Sequence, residues 1–189
     1  MVREIVVVED PRLRTKCPRV PKVDDSTRRL IDDMVDTMRD APGIGLAAPQ
    51  VGVLLRVIVC EVDEHLHALV NPEIVRAEGE QVGDEGCLSI PGYVGEVKRF
   101  ERVVVKAKNR AGKEVRVRAE GLLARCLQHE IDHIDGILFT DRLTNPDTLR
   151  KVAPEDAGEA VAGPAAAEAV GVGAAGTASG AVGAEAAAV

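Results

Sequence analysis

The stretch LQHEIDHIDG, residues 127–136, decides how this 189-residue chain is interpreted. Two histidines, His129 and His133, stand four positions apart, and Glu130 lies between them. On a helix, residues at i and i+4 share a face, so both imidazoles can bind one metal ion. Glu130 leans to the side of this pair, where it can serve as a base for water without binding the ion. The spacing therefore predicts a metal site carried by a helix.

The segment around this motif, GLLARCLQHEIDHIDG at residues 121–136, has the pattern of a buried helix. Gly121 and Gly136 bound it. One face holds Leu122, Cys126, His129 and His133, and the other faces hold Leu123, Leu127, Ile131 and Ile134. A helix that is apolar nearly all round is buried. The competing interpretation, two core histidines beside a solvated acid, is weaker because a buried unpaired glutamate is costly.

The first 120 residues predict one helix followed by a sheet. An amphipathic helix is predicted over 25–40, with N-cap residues at its start and Pro42-Gly43 at its end. Between 44 and 120, short segments rich in β-branched residues predict mostly antiparallel strands. These are LLRVIVCEV (54–62), LVNPEIV (69–75), RVVVKAKN (102–109) and EVRVRAEG (114–121). His65 and His67 lie in this region, and we expect them at a strand end or turn rather than at a metal.

Charge and composition exclude several classes of function. The formal net charge is −7, but residues 153–189 hold five acidic residues and no basic one, which leaves −2 for residues 1–152. Without a broad basic field, we expect no direct binding of nucleic acid. The N-terminal segment lacks a signal peptide, and no run approaches the ~20 apolar residues of a membrane span. Four scattered cysteines predict free thiols in a reducing cytoplasm.

The composition also divides the chain. From residue 157 onward Ala and Gly predominate and aromatic residues are absent, so there is little to bury. We therefore predict a catalytic domain at residues 1–152 and a disordered, acidic, Ala/Gly-rich tail at residues 153–189. Before the tail, NPDTLRKV (145–152) is the one segment that could form a short helix.

A catalytic metal site usually has three protein ligands and one open position. Cys87, in GDEGCLSIPG (83–92), is the best candidate for the third ligand, because Gly86 lets the backbone approach another segment closely. Cys126 shares the histidine face and could compete for the ion. The residues themselves do not choose between these two cysteines.

The loop APGIGLAAPQVG, residues 41–52, is the third unusual segment. Its small residues would let a substrate backbone lie close, and Gln50 offers a side-chain amide donor. A plain Gly/Pro connection between the first helix and the first strand is the alternative interpretation.

Together the three segments resemble the motifs of the peptide deformylase family. GIGLAAPQ (43–50), EGCLS (85–89) and QHEIDH (128–133) occur in the family's order, and the match runs over roughly residues 3–145. The resemblance implies an α+β fold in which antiparallel β-sheets surround a central buried helix that carries HExxH. It also implies that Cys87, with His129 and His133, binds the metal.

The resemblance further implies the reaction. The formyl group would be removed from the N-terminal formyl-methionine of newly made polypeptides, with release of formate. Metal-bound hydroxide would attack the formyl carbon while Glu130 acts as general base and then acid. The Gln50 side chain and the Leu88 backbone N–H would stabilise the oxyanion. A thiolate ligand and the family pattern favour Fe(II), with nickel, cobalt or zinc as alternatives.

The resemblance also assigns the substrate contacts and partners. Ile44, Leu122, Cys126 and His129 would line the methionine slot, and the backbone at Ile44, Gly45 and Gly86 would pair with an extended peptide. Glu85 and Arg99 would form an ion pair behind the cysteine loop, unless they are two separate solvated charges. The partners would be nascent polypeptides, met near the ribosome in the cytoplasm and away from any membrane. Many members carry a longer C-terminal helix, sometimes basic, that is linked to docking at the ribosome. Here only NPDTLRKV could form a short helix and an acidic tail follows, so we do not expect docking by this route.

Two other functions compete with this hypothesis. An HExxH zinc endopeptidase would share the helix motif, but its usual third ligand is a downstream Glu or His, and no histidine follows His133. A non-catalytic, metal-stabilised binding protein is the other, and a closed four-ligand shell that includes Cys126 would favour it.

Overall fold

The computed structural model describes residues 1–41 and 43–153, in which two α-helices and eight strands form an α+β fold. The helices are α1 (Asp25–Asp40) and α2 (Gly121–Ile134). The strands are β1 (Gly45–Ala47), β2 (Val57–Val62), β3 (His65–Glu78), β4 (Gln81–Cys87), β5 (Ile90–Arg99), β6 (Arg102–Lys108), β7 (Glu114–Glu120) and β8 (Arg150–Lys151). Of the tail predicted at 153–189, residues 154–189 lie outside the described residues.

Two antiparallel sheets flank α2. The larger has the strand order β1-β2-β3-β6-β7, and the smaller has the order β4-β5-β8. The predicted fold class, antiparallel sheets around a central helix, is confirmed. In the described part of the chain β1 and β4 are edge strands, so each leaves one side free to pair with an extended peptide.

Helix α1 begins and ends where the pattern predicts. The Asp24 carboxylate accepts a hydrogen bond from the Thr27 N–H at 2.8 Å, which caps the first turn. The apolar side of α1 is buried against β1 and β2; its buried members are Leu30, Ile31, Met34, Val35 and Met38. The helix therefore supports the strand that leads into the loop before Gln50.

Helix α2 is the centre of the second core cluster. Its side chains Leu127 and Ile134 are fully buried and pack against β2 and β6. At its C-terminal end Gly136 has φ +77°, and a Cβ there would lie 2.8 Å from the Arg14 carbonyl oxygen, so only glycine fits. The surrounding core fixes the helix and hence the residues it carries.

The segment NPDTLRKV does not form the short helix that its sequence suggested. Pro146–Thr148 make one 3-10 turn, and Arg150–Lys151 then pair with β5 as β8. An ion pair between Arg150 and Asp84 of β4 anchors this strand. No helix in the described residues combines the length and apolarity needed to cross a membrane.

Candidate metal centre

Three potential ligand atoms converge where the end of β4 meets α2. The Sγ atom of Cys87 lies 3.2 Å from Nε2 of His133, which lies 3.2 Å from Nε2 of His129. All three atoms are within 4.8 Å of one another. Two nitrogens that bind one ion at ~2.0–2.1 Å are separated by about this distance. The group therefore fits a single metal ion with three protein ligands.

The histidine ligands and the cysteine ligand come from different secondary-structure elements. His129 and His133 lie one turn apart on α2, as their spacing predicts. Cys87 is the last residue of β4, where the pairing with β5 shifts register between Gly86 and Cys87. This irregularity turns the chain at the sheet edge, and Leu88 and Ser89 complete the turn.

The ring of His129 is oriented by Glu85. Its Nδ1 atom is 2.9 Å from Oε2 of Glu85. Burial raises the pKa of the Glu85 carboxyl, but hydrogen bonds and charges from Arg99 and His129 outweigh it and hold that pKa well below its usual value. An ionised carboxylate only accepts hydrogen bonds, so Nδ1 of His129 must donate. In the neutral imidazole that binds a metal, the lone pair is then on Nε2, the atom that converges with the other two ligand atoms.

Glu85 and Arg99 form a buried ion pair, which decides against two separate solvated charges. The guanidinium donates to both carboxylate oxygens of Glu85 at 2.9 Å, and the two side chains are 3% and 5% exposed. Arg99 also donates to Asp132 on α2, whose carboxylate accepts a second bond from Arg142 at 2.8 Å. The buried charges of Glu85, Arg99 and Asp132 are therefore all paired, and Arg142 connects them to the surface.

Glu130 is a buried carboxyl beside the centre. It is 3% exposed, and its Oε2 atom has no hydrogen-bond partner in the described part of the chain. Burial raises the pKa of Glu130 to about 7. A carboxyl with a pKa near neutrality suits proton transfer in both directions.

The side-chain amide of Gln50 lies next to Cys87 at the same centre. Its Oε1 accepts from the Ala47 N–H at 2.8 Å, so its amide nitrogen is directed toward the cysteine turn. That Nε2 lies 3.5 Å from Cys87 Sγ and 3.3 Å from Ser89 Oγ. Gln50 is 1% exposed, and this fixed donor can face an oxygen bound near Cys87.

The residues predicted to contact substrate are partly or fully buried. Ile44 and Leu122 are half-buried, as is Gly86, whereas Gly45 and Cys126 are buried. The Cys126 thiol donates to the Ile44 carbonyl oxygen at 3.3 Å. Among the described residues, the group that could hold a metal contains Cys87 and not Cys126. The arrangement thus offers three ligands rather than a closed shell of four.

Sequence reasoning missed three buried polar residues near the centre: Ser89, Arg125 and Asp132. For Arg125 and Asp132 the sequence did contain a signal. Both are charged residues within a helix that is otherwise apolar nearly all round, and a buried charge needs a partner. His65 and His67 lie at the start of β3, away from the three ligands, as the strand-end interpretation predicts.

Comparison with known proteins identifies what the chain resembles. The family model described as polypeptide deformylase matches residues 2–148. A peptide deformylase of Thermomicrobium roseum is 54% identical over 164 residues, covering 82% of this chain and 93% of the relative. One from Dehalococcoides mccartyi strain CBDB1 is 48% identical over 157 residues, covering 82% and 94%. A crystal structure of a peptide deformylase from Legionella pneumophila has a TM-score of 0.75 at 45% identity, covering 86% of this chain and 94% of that one.

Proposed function

The chain belongs to the polypeptide deformylase family, and from this premise we propose that Cys87, His129 and His133 hold its metal ion while Glu130 transfers the protons. The enzyme is a metal-dependent hydrolase that removes the formyl group from the N-terminus of newly made polypeptides. The observation that carries the proposal is the convergence of three ligand atoms beside the buried, unpaired carboxyl oxygen of Glu130.

The donor set supports Fe(II) as the ion, with nickel, cobalt or zinc as substitutes. One thiolate and two imidazoles suit these borderline metals better than magnesium or calcium, which prefer oxygen. When bound, such an ion supplies a Lewis acid that activates water and polarises the formyl oxygen. Cys87 must be ionised and both histidines neutral to serve as ligands.

Glu130 takes a proton from the attacking water as the oxygen bonds to the formyl carbon. The carbon–nitrogen bond then breaks, and Glu130 returns the proton to the leaving amine, which yields formate and a free N-terminus. Its Oε2 has no hydrogen-bond partner among the described residues and is therefore available to take this proton. The amide of Gln50 and the backbone N–H of Leu88 donate to the oxyanion that develops on the formyl oxygen.

The substrate peptide pairs with the edge of β1 in an extended form. The slot for its methionine side chain is lined by Ile44, Leu122, Cys126 and His129. The Ile44 carbonyl already accepts from Glu61 N–H at 2.8 Å and from Cys126, so pairing at Ile44 must use its N–H. The backbone at Gly45 and Gly86 pairs with the peptide as well. Pairing through backbone atoms explains why many sequences can follow the methionine.

Gly45 also fixes where Glu130 can lie. A Cβ at this position would be 2.4 Å from Glu130 Oε1 and 2.8 Å from Cys126 Sγ. Gly45→Ala should therefore displace Glu130 and lower kcat by ~10²-fold, because small misplacements of reacting groups are costly. Metal content should stay unchanged, since no ligand is touched. Steady-state formate release and metal analysis on the same preparation test this, and full activity of the variant would contradict the placement of Glu130.

We place the enzyme in the cytoplasm, near ribosomes that release new chains. The family match ends at residue 148, which agrees with a catalytic domain at residues 1–152. Residues 153–189 add negative charge and no basic residue, so they do not supply the cationic helix through which many relatives dock.

The assignment is tested by formate release from a formyl-Met tripeptide with protein prepared anaerobically. We expect formate with Fe(II), nickel or cobalt, weaker turnover with zinc, and none after a chelator has removed the ion. An acetyl-Met tripeptide and the internal peptide bonds of both peptides are the controls and should remain intact. Cleavage of internal bonds would support an endopeptidase, and folded, metal-loaded protein that yields no formate would overturn the proposal.

A further inference from the structure

Arg125 is a buried cation on the helix that carries the two histidines. It lies on α2 one turn before His129, and its side chain is 8% exposed. Burying a charge costs several kcal/mol unless hydrogen bonds and an opposite charge compensate for it. The hydrogen bonds of Arg125 therefore indicate which part of the structure its buried charge stabilises.

All of these contacts reach the smaller sheet. The Nη1 atom of Arg125 donates to the carbonyl oxygens of Gly83 at 3.1 Å and Val97 at 3.3 Å. Gly83 and Val97 are cross-strand partners in β4 and β5. The Nε atom donates to the Gln81 side-chain oxygen at 3.2 Å. One side chain of α2 thus holds both strands of the β4–β5 hairpin, whose first strand ends at Cys87.

The same guanidinium reaches the carboxylate that orients the first histidine. Arg125 Nη1 lies 3.2 Å from Glu85 Oε1, while Glu85 Oε2 accepts from His129. Arg99 also holds Glu85, but Arg99 belongs to β5, and its bond to α2 goes to Asp132. Arg125 is therefore a charged side chain of the histidine helix that bonds directly to the cysteine strand, beside the bond between His129 and Glu85.

We propose that Arg125 is a positioning residue that fixes the cysteine strand against the histidine helix, and so sets the geometry in which Cys87, His129 and His133 bind the metal. The inference rests on the proposed metal centre. Cys87 is at the end of β4, and Arg125 contacts that strand two, four and six residues earlier, at Glu85, Gly83 and Gln81. These bonds limit how far the strand end can move relative to the histidines, together with the bonds of Glu85 to Arg99 and His129.

Gly83 on β4 packs against the guanidinium of Arg125. A Cβ at this position would lie 3.2 Å from Nη2 and 3.5 Å from Cζ of Arg125, which is tighter than most real contacts. The absence of a side chain at residue 83 makes room for the guanidinium. Gly83→Ala therefore shifts the guanidinium without removing its charge, and provides a second, milder way to test the same link.

The test compares Arg125→Met, which keeps much of the length but no charge or donor, with Arg125→Lys and Gly83→Ala. Arg110→Met is the matched control, because Arg110 pairs with Asp32 on the surface. Each protein is loaded with Co(II) alone, and its absorption spectrum and its rate of Co(II) loss to excess EDTA are recorded. The values of kcat and KM for a formyl-Met tripeptide are then measured for each protein.

We expect Arg125→Met to lose Co(II) about 10- to 100-fold faster, with an altered Co(II) spectrum, because partners behind metal ligands have effects of this size. The value of kcat should fall about as much while KM changes little, Arg125→Lys should recover part of the loss, and Arg110→Met should match the parent. If Arg125→Met is unfolded, Arg125→Lys and Gly83→Ala should show smaller changes in the same direction.

A loss of stability without any change at the metal centre would show that Arg125 only stabilises the fold. In that case the folded variants would have a lower melting temperature, but their Co(II) spectra, metal loss and kcat would equal those of Arg110→Met. Failure of the proposed function is distinguishable, because the parent protein itself would then neither bind Co(II) through a thiolate nor release formate.

Discussion

Replacing Glu130 with glutamine should lower kcat for deformylation by ~10²–10⁴, the usual contribution of a general acid–base. Glutamine keeps the size of the side chain but can neither accept the proton of the attacking water nor deliver one to the amine. The three proposed ligands lie outside the change, so the metal content should equal that of the parent. Formate release under anaerobic conditions, with metal analysis of the same samples, measures both quantities.

The control for this change is Glu120→Gln, the same substitution at an exposed position just before α2. It should leave kcat and metal content unaltered. Glu130→Asp should lie between the parent and Glu130→Gln, because its carboxyl can titrate but is withdrawn by one methylene. A kcat within threefold of the parent for Glu130→Gln would exclude Glu130 as the proton carrier and point to another base.

The part of the site that lies on one helix could be predicted from the sequence. Histidines at i and i+4 face the same way on any helix, and the apolar residues around His129 and His133 indicated burial. The first helix was likewise predictable, because Asp24 caps it and its apolar residues repeat at helical spacing. Local rules suffice for both helices, since each depends on residues close in sequence.

The two long strands of the smaller sheet were not among the segments predicted as strands, for a physical reason. Its strands β4 and β5 contain glycines at positions 83, 86, 92 and 95, and glycine disfavours strands. These glycines serve tertiary contacts: a Cβ at Gly95 would lie 2.4 Å from Leu143, and one at Gly83 would press on Arg125. Such reasons are visible only when distant segments have been brought together.

The third metal ligand and the charged residues behind it could not be predicted from local sequence either. Cys87 and Cys126 were equal candidates by residue type, and the resemblance to a family made the choice between them. The ion pair of Glu85 and Arg99 looked no different from two solvated charges until both were seen to be buried. Arg125 escaped notice because a long charged side chain on a helix usually reaches water.

Replacing Cys87 with alanine should abolish stable metal binding and, with it, formate release. Two imidazoles remain, but they lose the anionic thiolate that neutralises part of the ion's charge. Catalytic centres of this type need three protein ligands, so a two-ligand site should not survive gel filtration with its metal. Metal analysis after gel filtration, beside the thermal melting curve of the apoprotein, measures the loss.

The matched control is Cys17→Ala, which removes another buried thiol. Cys17 is 3% exposed, and burial raises the pKa of its thiol to about 11, so it is a neutral core residue rather than a ligand. This variant should lose some stability, because a buried sulfur is deleted, yet keep its metal and its kcat. If Cys87→Ala instead retained one ion per chain, the third ligand would have to be another group. Cys126, whose thiol now donates to the Ile44 carbonyl, would be the first to test, since it shares the helix face of both histidines.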